Sequence, residues 1–183
     1  MTKALAVAAL LLFSASCNDS KTEATTETAA DTTTMAAEPA PVPPHQYAVK
    51  ATYSSSFEIG DPSQADKVIE LWKQYDENTL DKGSTYFADT VTVWDATGWS
   101  YHGTKDSLLT MVKKMRSSQS ACKSVVVAVV PLKSTDMNEN WVSIYGTEYT
   151  TVKNKKDSSD LQENWRFDKN GKVDMLHSYR RKK

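Results

Sequence analysis

The spacing of apolar residues changes once along this chain, near Ser120, and that change constrains the fold more than any other feature. Before it, apolar side chains recur at helical spacing. After it, four segments rich in Val, Ile, Thr and aromatics follow one another: Ser124–Leu132, Trp141–Lys153, Asp160–Asp168 and Lys172–Arg181. Lys169-Asn170-Gly171 reads as a tight turn between the last two, and Asn154 to Ser159 as a looser polar one. Helices first and a meandering antiparallel sheet afterwards predict an α+β domain.

The helical half has clear punctuation. Asp61-Pro62-Ser63-Gln64 supplies an N-cap, a proline in the first turn and a glutamine three residues after the cap. Ala65, Val68, Ile69, Trp72, Tyr75 and Thr79 then form one stripe, which Gly83 ends. A short helix over Ser84–Phe87 and a strand over Thr90–Asp95 follow, with Gly98 turning the chain. Thr104 caps a second helix that turns Leu108, Met111, Val112 and Met115 inward. Even spacing of Tyr47, Val49, Ala51, Tyr53 and Phe57 suggests a strand ahead of the first helix.

Residues 1–16 have the layout of an export signal: Lys3, an apolar run from Ala4 to Phe13, and the small residues Ser14-Ala15-Ser16. The run is shorter than the roughly 20 apolar residues that a membrane-spanning helix needs. Cys17 directly after it, with the polar start Asn18-Asp19-Ser20, resembles the lipobox of bacterial lipoproteins of the Bacteroidetes type, although Ser14 stands where the pattern favours Leu. The resemblance implies that Cys17 is acylated, that the membrane is a partner through that lipid, and that the protein is exported and anchored at the cell envelope, in the periplasm or at the outer membrane. An ordinary secreted protein is the alternative.

Residues 17–46 combine Thr, Ala and Glu with a run ending in Pro39-Ala-Pro-Val-Pro-Pro44, a composition too polar to fold on its own core. They read as an acidic tether, with Asp19, Glu23, Glu27, Asp31 and Glu38 against Lys21. Residues 47–183 then form one domain. Apart from Lys3 and Lys21 it holds all 22 basic residues, and apart from those five carboxylates all 23 acidic ones. Such a nearly neutral domain does not suit nucleic acid, which calls for a basic face. The tail Arg180-Arg-Lys-Lys183 reads as a solvated end. The chain has two cysteines, Cys17 and Cys122. Cys122 precedes an apolar run and has no adjacent base, which predicts a structural thiol.

Tyr86-Phe87-Ala88-Asp89, Val91-Thr92-Val93-Trp94-Asp95, Tyr101-His102-Gly103 and the ending Trp165 to Val173 (WRFDKNGKV), in this order of elements, resemble the superfamily of nuclear transport factor 2, ketosteroid isomerase, scytalone dehydratase and the SnoaL-like polyketide cyclases. The likeness runs from about Pro62 to Tyr179. It implies a cone-shaped α+β fold, with a curved antiparallel sheet wrapped around the N-terminal helices and enclosing a deep apolar pocket. Homodimerisation is common in that superfamily. A shared fold carries many functions, so the pocket has to be judged by its own residues.

Strand alternation puts Val173, Met175, His177 and Tyr179 on one face of the last strand, and Leu161, Glu163, Trp165 and Phe167 on one face of its neighbour. With Trp72, Tyr75 and Trp94, these are the candidate ligand-binding residues: Trp72, Tyr75, Trp94, Trp165, Phe167, Met175 and Tyr179. An ordinary filled core is the competing reading. Val142 and Ile144 alternate with Trp141 and Tyr145, so either pair could face outward, and an outer Val142/Ile144 face would suit a dimer.

The candidate catalytic residues are Asp95, Glu163 and His177. The resemblance places Asp95 at the proton-shuttling base of ketosteroid isomerase and Glu163 near its protonated acid, but Leu71 or Trp72 stands where a helix tyrosine is expected, unless Tyr75 reaches in. Read from the residues alone, Asp95 suits a loop cap on Thr97 or Gly98. His177 with Tyr179 resembles the acid–base groups of dehydratases in the superfamily. No cofactor is implied. No metal is either: His45 lies in the tether, and His102 and His177 lack ligand spacing. Three functions remain: non-catalytic binding of a small apolar or aromatic ligand, a cofactor-free isomerase, dehydratase or cyclase using Asp95 with Glu163 or His177, and an envelope interaction or dimerisation module.

Overall fold

A computed structural model describes residues 47–183. The export signal, Cys17 and the tether lie outside the described residues. The described chain forms β1 (Phe57–Ile59), α1 (Pro62–Asp76), a 3-10 helix (Leu80–Tyr86), β2 (Phe87–Asp95), β3 (Ser100–Thr104), α2 (Lys105–Ser117), β4 (Ala121–Ser134), β5 (Glu139–Val152), β6 (Lys155–Phe167) and β7 (Val173–Lys182). None of its helices is long and apolar enough to cross a membrane.

The caps act as the sequence predicts. The Asp61 carboxylate accepts from the Ser63 amide at 2.8 Å, and the Thr104 hydroxyl from the Ser107 amide at 3.4 Å. At the other end of α1, the buried Arg116 of α2 donates to the carbonyls of Tyr75 (2.9 Å) and Asp76 (2.6 Å). A cation thus sits against the carbonyl oxygens at the end of the helix.

The seven strands form one sheet in the order β1-β4-β5-β6-β7-β2-β3. Only part of it is the expected antiparallel meander, because β2 lies beside β7 and runs parallel to it. The two are far apart in sequence, so no hairpin dictates their direction. The β5–β6 connection is also tighter than expected. Lys153 (φ 48°) and Asn154 (φ 64°) make a two-residue turn, and β6 begins at Lys155 among residues expected to be loop. Ahead of α1, pairing is confined to Phe57–Ile59.

Val68, Leu71, Val91, Val142, Ile144 and Val173 are the most deeply buried apolar side chains. Val142 and Ile144 therefore belong to the inner face of β5, which decides the alternation left open by the sequence against an outer Val142/Ile144 face. Trp141 and Tyr145 take the outer face instead, where Tyr53 packs edge-on against Trp141 at 6.1 Å. Two β-branched residues fill the core on the inner face, while Tyr145 stays exposed and the Trp141 indole nitrogen is buried without a partner among the described residues.

A second correction concerns β7. Phe167 pairs with Val173, yet Arg166 pairs with Met175, so one extra residue is accommodated at Asp174. Such a bulge reverses the facing of everything beyond it. Val173 stays in the core beside Phe167, but Leu176, Ser178 and Arg180 then turn inward. Met175, His177 and Tyr179 turn outward, opposite to the expectation from simple alternation.

Candidate functional site

Between the helices and the inner sheet face lies a cavity of about 710 Å³. Its apolar wall comes from Leu71, Trp72 and Tyr75 of α1, the Leu108–Met115 face of α2, Phe87 and Val93 of β2, and Leu161, Trp165 and Leu176 of β6 and β7. Trp99 and Met115, both about half exposed, stand at its edge. Trp72 reaches its place because Gly146 on β5 has no side chain. A Cβ there would meet the Trp72 ring at 2.6 Å and the Val125 carbonyl oxygen at 2.6 Å.

Glu163 is the central polar group. Its Oε2 accepts from the indole N–H of Trp72 (2.8 Å) and of Trp165 (3.1 Å), and its Oε1 from the Ser178 hydroxyl (3.1 Å). Burial pushes its carboxyl above the ordinary carboxylate range, against the opposing pull of these three donors and of Arg180. Although deep in the protein, the side chain still borders the cavity.

A second polar pair was not visible in the sequence. The Glu148 carboxylate, 3 % exposed, accepts from both terminal nitrogens of Arg180, at 2.7 and 3.2 Å. The supposed solvated tail therefore begins with an inward-facing guanidinium, and its remaining lysines and Arg181 pair with Asp157 and Asp160 on β6. Tyr75 does reach in from α1. Its hydroxyl accepts from the Gln119 amide at 3.3 Å, and burial together with Glu148 pushes the phenol up to about 12.

Asp95 stands at the edge of the cavity as a loop cap. Its Oδ1 accepts from the Thr97 amide (2.8 Å), the Thr97 hydroxyl (2.6 Å) and the Trp99 amide (3.0 Å). The Thr97 hydroxyl leads the causes that hold its carboxyl below the usual range, the reverse of what a base tuned toward neutrality needs. His177 is on the far side of the sheet, with its ring 4.8 Å from that of Trp94 and 6.0 Å from that of Trp141. Burial and the nearby Arg166 lower its pKa. Of the expected lining, Trp72, Tyr75 and Trp165 border the cavity, Phe167 is packed in the core behind it, and Trp94, Met175 and Tyr179 share the outer face with His177. Cys122 is half-buried, its thiol 3.4 Å from Asp76 and pushed up to about 12 by burial, so it is a poor nucleophile.

Solved structures share this fold at low identity. An M. tuberculosis LEH-like epoxide hydrolase matches 66 % of this chain and 84 % of its own at a TM-score of 0.55 and 9 % identity. A nuclear transport factor 2-like protein of unknown function from Exiguobacterium sp. 255-15 matches 64 % and 98 % at 0.52 and 18 %. The chain has the nuclear transport factor 2-like fold. A SnoaL-like polyketide cyclase from Shewanella denitrificans OS-217 matches 66 % of this chain and 92 % of its own, at 0.54 and 11 %. No protein-family model and no curated protein matches the sequence. At such identities the likeness concerns the backbone, and the side chains of the cavity must speak for themselves.

Proposed function

We propose that this domain captures a small apolar or aromatic molecule in its cavity and releases it unchanged, while Cys17 and the tether hold it at the envelope membrane. The observation that carries this reading is a largely apolar hollow of about 710 Å³ whose carboxylates are already engaged. Asp95 closes a loop, Glu148 holds Arg180, and Glu163 holds two indoles and a hydroxyl. An acid–base enzyme needs a proton acceptor that is not already held by several donors, whereas a receptor needs apolar area and a few fixed polar groups.

Trp72, Trp99 and Trp165 border the cavity, so a bound ligand will alter their fluorescence. Saturable quenching by members of a sterol, quinone and long-chain alcohol panel, lost in Leu108→Arg, is the expected result. No response from any of them overturns the reading. The anchor is tested separately: a clickable fatty acid should label the exported protein, and Cys17→Ala should abolish the label.

One observation favours chemistry instead. Glu163 is a carboxyl with a raised pKa inside an apolar cavity, which is how a neutral acid that donates a proton is built. In that reading Glu163 acts without His177, which faces away. Turnover of an epoxide or enone probe that Glu163→Gln abolishes would establish it.

A further inference from the structure

The polar groups of the cavity are not evenly matched in hydrogen-bonding sense. A carboxylate offers about four lone-pair sites, and Glu163 receives three donors, two on Oε2 and one on Oε1. One acceptor site on Oε1 is left over. The Gln119 amide donates to Tyr75, and its own carbonyl oxygen, buried in the cavity wall, has no partner among the described residues. Unmatched buried acceptors are costly, and a group that supplies the missing donor recovers that cost.

Positive charge is not on offer in return. Arg180 is the cation of the lining, and its charge is balanced by Glu148, which accepts one hydrogen bond from each of its terminal nitrogens. An anionic ligand that drew Arg180 away would strand a carboxylate that is 3 % exposed. It would also meet the Glu148 carboxylate as a like charge. Tyr75 holds its phenolic proton, which an alcohol can accept while donating its own.

Building on the reading of the cavity as a receptor, we infer that its ligand is an apolar body ending in a hydrogen-bond donor, an alcohol or an amine, and not a carboxylate or phosphate. The aromatic walls agree, since indole and phenol faces receive an ammonium well and a carboxylate poorly.

Calorimetric titration of the protein at pH 7 with decanol, decylamine and decanoic acid separates the outcomes. Decanol and decylamine should each bind at least ten times more tightly than decanoate, and Glu163→Gln should reduce the advantage of the amine over the acid several-fold. Decanoate binding as tightly as the other two overturns this inference and leaves the receptor reading intact. Failure of all three, and of the sterol and quinone panel, removes both. If Glu163→Gln does not fold, the wild-type ranking of the three ligands decides the matter.

Discussion

The indole of Trp72 donates to Glu163 at 2.8 Å, tying the C-terminal half of α1 to β6 beside the cavity. Helix and sheet are thereby joined through two residues that both line the cavity. Trp72→Phe keeps the ring's bulk and deletes the donor, so it should cost about 1–3 kcal/mol. Chemical denaturation of Trp72→Phe, Glu163→Gln and the double variant checks this. The two changes should combine to less than their sum because they touch the same bond.

Glu163 also gives stability a pH dependence of defined sign. Its folded pKa lies above the ordinary 4.5, so the folded protein favours the protonated form. Its contribution is fully present below that ordinary value and declines as pH rises through the folded one. Glu163→Gln should remove this decline. Unfolding free energies of the two proteins from pH 4 upward should therefore diverge with rising pH, the wild type losing ground.

Removing the guanidinium from Glu148 should be more damaging than removing the pair. Arg180 is half exposed, so Arg180→Met should cost about 2–3 kcal/mol, below the range for a fully buried pair. Glu148→Gln combined with Arg180→Met should recover part of that loss. Denaturation midpoints measure it, and equal losses in the single and double variants would contradict the stranded-charge explanation.

The facing of β7 is open to a simple contrast. His177→Gln lies on the far face of the sheet from the cavity and should leave ligand-induced fluorescence quenching within a factor of two of the wild type. Trp165→Ala, on the cavity wall, should reduce affinity at least ten-fold. A His177 variant that loses affinity as strongly as Trp165→Ala would mean that the bulge at Asp174 is misplaced.

Asp95 should behave as a loop cap under acid. Its lowered pKa means that its contribution is present above the ordinary 3.8 and is lost as pH falls through the folded value. Asp95→Asn should therefore loosen the Thr97–Trp99 loop at neutral pH and leave a smaller difference from the wild type at pH 2–3. Near-ultraviolet circular dichroism of Trp99 reports it.

Local chemistry wrote much of this protein openly. Asp61-Pro62 and Thr104 start helices wherever they occur ahead of an amphipathic stripe, so both helices could be placed from sequence. Alternation along β6 correctly put Leu161, Glu163, Trp165 and Phe167 on one side, since no bulge interrupts that strand's interior. The loop role of Asp95 was legible too, because an aspartate two residues before an amide it can accept from is a local motif.

What escaped the sequence depends on pairing across strands. One residue accommodated at Asp174 exchanged His177 for Ser178 and Tyr179 for Arg180 on the inner face, and nothing in the single strand announces it. The inward carboxylate of Glu148 had a signal, its even spacing from Val142, Ile144 and Gly146, but only if that face of β5 is the buried one. Its partner Arg180 is on β7, with β6 between them, so the pair exists only once the register of three strands is set. Sequence alone determined the two long helices, the last four strands, their order and the apolar supply for a core, but not β3, because caps, turns and periodicity act over a few residues. Tertiary structure decided that the core is hollow and which charges face it, because facing and register are properties of neighbouring strands.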